Sequence, residues 1–140
     1  MPLNNNASME WSGWLIDNLS SRIDECQQAI VATIKAREIP QSTISTGRVN
    51  MWWRKDSRYI DATSNLDGVI TTTIHLQEYG TSLWIGRAVE SYAQSNYYKR
   101  MAASAFVETI DRCIRDAILT LVESTAIRDV SDIGRKTILK

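Results

Sequence analysis

The apolar positions change period twice along the chain. Between 9 and 38, Trp11, Trp14, Leu15, Leu19, Ile23, Cys26, Ile30 and Ile34 recur at spacings of three and four, with Asp17, Arg22, Asp24, Glu25 and Gln28 on the other faces. That is the pattern of an amphipathic helix. Ser8 or Ser12 is placed to cap it, and Pro40 ends it, because the residue before a proline is pushed out of helical geometry. Between 43 and 89 the composition turns to threonine, valine, isoleucine and aromatics with turn residues at short intervals. Such a stretch predicts four antiparallel strands, from 43 to about 54, then 59–62, 69–76 and 82–89. Gly68 and Gly80 sit in the turns, where positive φ is needed. Helical spacing returns over 96–125 through Tyr97, Met101, Ala105, Phe106, Ile110, Cys113, Ala117, Leu121 and Val122. Residues 1–8 read as a loose N-terminus and 126–140 as a tail or arm.

These elements predict an α+β fold in a single domain spanning 1–140: a long N-terminal helix, a four-stranded antiparallel meander and a long C-terminal helix. Two helices flanking a meander pack most simply on one face of the sheet, as a two-layer sandwich with the other face open. As a helix, Trp11 to Ala36 would extend about 39 Å, whereas an eight-residue strand reaches only about 26 Å. The tryptophan end should therefore overhang the sheet, which marks Trp11 and Trp14 as expected interface residues.

Composition narrows the function classes. Sixteen basic and sixteen acidic side chains give zero formal charge over 140 residues, so no global field gathers nucleic acid or an anionic membrane. Any such binding needs a local patch. Met1 to Ser8 lack the basic flank and apolar run of a signal peptide, and no run of about 18 apolar residues offers a membrane span. The expected compartment is the cytoplasm, with no membrane partner. Cys26 and Cys113 fall at helical spacing among apolar residues and read as small buried hydrophobes. With one histidine, they cannot make a four-ligand zinc site without carboxylate help. No metal and no cofactor is expected.

The candidate chemistry lies on the strands. In the first, alternation sets Val49, Met51 and Trp53 against Arg48, Asn50, Trp52 and Arg54. In the third, Ile70, Thr72, Ile74 and Leu76 oppose Val69, Thr71, Thr73 and His75; in the fourth, Leu83, Ile85 and Val89 oppose Ser82, Trp84, Gly86 and Ala88. The more polar sets would gather Arg48, Trp52, Arg54, His75 and Trp84 on the open face as a binding surface. Flat aromatics among guanidinium groups can stack a base and hold a phosphate, and the same residue types characterise protein interfaces. Gly86 within a strand marks a bulge or the close approach of another backbone, beneath Trp52 or Trp53.

Other constellations carry less. Tyr97 and Met101 fall on the core stripe of the second helix, with Lys99 and Arg100 turned to solvent, and cations in a first turn oppose the helix dipole. His75 is the only side chain that ordinarily titrates near neutrality, yet no G-x-S-x-G elbow accompanies it. Asp56, Asp61 and Asp67 lack the spacing of a calcium loop, and the glycines do not precede helices as in a phosphate loop. The expectation is a non-catalytic protein–protein interaction module, adaptor or chaperone-like, that engages another protein and a second copy of itself. The alternative is a binder of single-stranded nucleic acid or a nucleotide-like ligand on the open sheet face.

Overall fold

The ten residues Ala7–Ile16 form a strand rather than a helix. In the computed structural model, which describes residues 7–49, 57–65, 69–92 and 97–129, the elements run β1 (Ala7–Ile16), α1 (Ile23–Ala36), β2 (Ser42–Val49), β3 (Ser57–Ser64), β4 (Ile70–Tyr79), β5 (Ser82–Tyr92), α2 (Tyr97–Leu119) and β6 (Ile127–Asp129). The strands form one six-stranded antiparallel sheet in the order β2-β3-β4-β5-β1-β6. The α+β class holds. The sheet has six strands rather than four, because β1 and the short β6 extend the β2–β5 run beyond β5.

The expected long N-terminal helix is therefore corrected to a strand, a turn and a 14-residue helix. Its inward positions, Trp14 and Ile16, are buried, while Trp11 and Leu15 lie on the other face and are half-exposed. Two causes outweigh the helical stripe. Gly13 weakens a helix interior by roughly 1 kcal/mol, and β1 pairs with β5 over ten positions, Ala7 with Tyr92 through Ile16 with Leu83. Asn18, at φ 58°, takes the left-handed conformation that asparagine tolerates and turns the chain out of the sheet. Leu19 then drops into the core through a single 3-10 turn at Ser20–Arg22.

From Ile23 onward the helical period is real. Ile23, Cys26, Ile30 and Ile34 face inward, Asp24 and Glu25 sit in the first turn and Lys35 in the last, all favourable to the helix dipole. α2 contributes Phe106, Ile110, Cys113, Ile114, Ala117 and Ile118, and packs against α1. The two stripes meet Ile60, Ile74, Leu76, Leu83 and Ile85 of the sheet in one core. Each such side chain contributes about 1.5–3 kcal/mol through burial. Two arginines on the same face of the sheet reach into the helical layer: Arg58 donates to Asp24 of α1 at 3.0 and 2.8 Å, and Arg87 donates to Asp111 of α2 at 2.7 and 2.6 Å. Planar guanidinium forks of this kind fix geometry as well as attraction.

The start of α2 departs from expectation. Tyr97 and Met101 are exposed, not core, because the first turns of α2 precede the part that reaches the sheet. Tyr97 and Tyr98 instead touch edge to face, their ring centroids 5.9 Å apart.

Candidate functional site

The face of the sheet turned away from the helices divides into two halves. Across the strands, register aligns Gly47, Tyr59, His75, Gly86 and Gly13 in one row and Ser57, Gln77, Trp84 and Leu15 in the next. On β3 and β4 the polar groups bond to one another. Thr73 Oγ1 donates to Asp61 Oδ1 at 2.8 Å, the Thr63 and Thr71 hydroxyls meet at 3.3 Å, and His75 Nε2 lies 3.0 Å from Ser57 Oγ and 3.2 Å from Gln77 Oε1.

Where β5 and β1 cross at Trp84, Gly86 and Ala88 against Trp11, Gly13 and Leu15, the face is apolar. The Trp84 indole lies over Gly13 and Gly86, so close that a Cβ at Gly13 would meet Trp84 Cζ2 at 2.7 Å and Cζ3 at 2.9 Å, with Cη2 nearer still. A Cβ at Gly86 would meet Trp84 Nε1 at 2.9 Å. The two glycines face each other across the β1–β5 pair, and the missing side chains make the bed on which the ring rests. What crowds Gly86 is the side chain of Trp84 from the same strand rather than another backbone; Trp52 and Trp53 lie outside the described residues. Beside the indole, Leu15, Gln77 and Tyr79 complete a hollow of about 390 Å³.

Of the residues singled out from the sequence, His75, Trp84 and Trp11 share this face. Arg48 does not join them: it pairs with Arg58, whose side chain reaches α1, so its own position belongs to the helix side. A one-residue difference in the start of the alternation exchanges the two faces of a strand. Trp14 is also on the helix side and is buried, so Trp11 and Trp14 are on opposite faces rather than one overhanging helix end. Trp52 and Arg54 lie outside the described residues. The sequence reading missed Leu15, Gln77 and Tyr79 as neighbours of Trp84. The alternation of Trp11, Gly13 and Leu15 against Ser12, Trp14 and Ile16 was the signal for the first of them.

Ser57, hydrogen-bonded to His75, is fully buried, whereas His75 itself is half-buried. Burial pushes the Cys26 thiol up to about 12 and raises that of Cys113 as well, and both cysteines are free thiols in the core. Among the described residues no three histidine, cysteine or acidic side chains cluster to hold a metal ion, and no helix is long and apolar enough to cross a membrane. The chain matches no family model and no curated protein.

Proposed function

We infer that this chain is a non-catalytic protein–protein interaction module that pairs with a second copy of itself, and engages other proteins, by covering the open side of its sheet. The observation that carries this reading is the division of that side. The polar groups of β3 and β4 are spent on one another, whereas Trp84 of β5 and Leu15 of β1 line a hollow with no carboxylate among its lining residues, and Trp11 stands on the same face. Aromatic and aliphatic anchors at the centre of a patch, rimmed by satisfied polar groups, are what an interface needs. Two such faces can stack as aligned sheets about 10 Å apart, and a chain of zero net charge does not repel its copy. Two unpaired buried thiols fit a reducing cytoplasm.

The nucleic-acid reading has less behind it. Arg48 stands on the helix side, and Arg128, beside Leu15 in register, donates to Asp17 at 3.2 Å. Salt-dependent quenching of tryptophan fluorescence by an oligonucleotide would revive it.

Sedimentation velocity over a concentration series tests the main reading. Wild-type protein should move reversibly between 15.9 kDa and twice that mass, and Leu15→Arg should remain monomeric with an unchanged circular dichroism spectrum. A wild-type monomer at every concentration would overturn the self-association.

A further inference from the structure

On the helix side, away from the open face, α2 leaves a groove of about 440 Å³ between its first half and the sheet. Its floor is Ile70 and Phe106, both about 95% buried, and its wall on α2 is built from alanines, Ala102 and Ala103. Further along, α2 fills the same interval with Ile110, Ile114 and Ile118. The hollow thus exists because methyl groups stand where isoleucines would close it. The opposite rim is Ile39 in the loop after α1, with Arg37 beside it.

That rim is held firmly. Glu38 and Gln41, on either side of Ile39 and Pro40, take φ of 50° and 56°, conformations that disfavour side chains and persist only where the surroundings impose them. Ser42 Oγ donates to the Ile39 carbonyl at 2.7 Å, and the Asn65 amide donates to the Gln41 carbonyl at 3.0 Å. A preformed, mostly apolar hollow of this size falls in the range of small-ligand sites, about 300–1,000 Å³.

We propose that this groove binds a medium-chain monocarboxylate, a free fatty acid whose alkyl chain lies along Ala102, Ala103, Ile70 and Phe106 and whose carboxylate meets Arg37. Charge complementarity selects the head group. Arg37 is the charged residue of the lining, and its planar fork offers five N–H donors, one of which goes to Asp116 at 2.7 Å. Guanidinium geometry matches a carboxylate two bonds at a time, and the half-exposed position of Arg37 lets the head group remain partly hydrated while the chain is buried.

Isothermal titration calorimetry with sodium decanoate, below its micelle-forming range, tests the site in the full-length protein. Decanoate should bind saturably at one per chain, and octanoate about fifteenfold more weakly, at roughly fourfold per buried methylene. Ala103→Phe, which fills the groove, should lose at least about tenfold in affinity. Arg37→Gln, a change at a half-exposed position that leaves the fold intact, should weaken octanoate severalfold while leaving uncharged octanamide unchanged. No saturable binding up to about 1 mM, or binding that neither substitution alters, overturns the site. Equal losses of octanoate and octanamide on Arg37→Gln overturn the carboxylate assignment.

Discussion

Gly13→Ala is the sharpest probe of how the open face is built. The added methyl would collide with Cη2, Cζ2 and Cζ3 of Trp84, at separations that real Cβ atoms do not sustain, so the indole must leave its bed. Overpacking of this kind costs about 1–3 kcal/mol. Replacing glycine by alanine in extended backbone returns about 0.4–1 kcal/mol by restricting the unfolded chain. The balance is a loss of up to about 2.6 kcal/mol, a fall in melting temperature of up to about 10 °C for a domain of this size. Removing the ring first should reverse the sign: in a Trp84→Ala background, Gly13→Ala meets no indole and should be neutral or stabilising. Urea unfolding of the four proteins of this cycle gives the coupling directly. A coupling near zero, or a stabilised Gly13→Ala single variant, would refute the placement of Trp84 across β1.

Three further expectations follow from the core. Thr72 is fully buried on β4 with a hydroxyl that finds no hydrogen-bond partner among the described residues, so Thr72→Val should be neutral or stabilise by about 1 kcal/mol in chemical denaturation; a loss above that would reveal a bonded hydroxyl. Asp111→Ala withdraws two charge-assisted bonds from the deeply buried Arg87 guanidinium and should destabilise by about 2–4 kcal/mol, far more than the same change at the exposed Glu108, measured by thermal unfolding. The Cys26 thiol has an ordinary value of 9.0 and is pushed up to about 12 in the fold. Between those values the native state holds a proton that the unfolded chain releases, so its contribution is intact below about pH 9 and is lost as pH rises toward 12, at up to about 1.4 kcal/mol per pH unit. Urea titrations at pH 8 and pH 10.5 should show a steeper decline for wild type than for Cys26→Ala, and equal declines would contradict the burial of this thiol.

Much of the fold is legible in the sequence where one period dominates. Ile23 to Ile34 and Phe106 to Ile118 repeat at helical spacing and are helices, and the alternation of Ile70, Thr72, Ile74 and Leu76 marks the inward side of β4. The ten residues of β1, Ala7–Ile16, are ambiguous for a physical reason. Trp11, Trp14 and Leu15 satisfy spacings of three and four while also supporting alternation about Gly13, and only the partner strand β5, seventy residues away, decides between them. The open face was legible where the strand register was secure: His75 and Trp84 were assigned to it and occupy it. Arg48 is expected there too but stands on the helix side, because the start of β2 sets which residues face the helices and nothing local to the sequence fixes that start. Nor could composition disclose that Arg58 and Arg87 are buried, since their partners Asp24 and Asp111 come from distant helices.

The central claim is that a second protomer covers the apolar half of the open face. Fluorine NMR of protein labelled with 5-fluorotryptophan tests it most directly, since its five tryptophans include Trp84 and Trp11 on that face and Trp14 on the core side. With rising protein concentration the Trp84 and Trp11 resonances should shift together while that of Trp14 stays in place. Resonances of Trp84 and Trp11 that do not move across the whole concentration range would contradict the account.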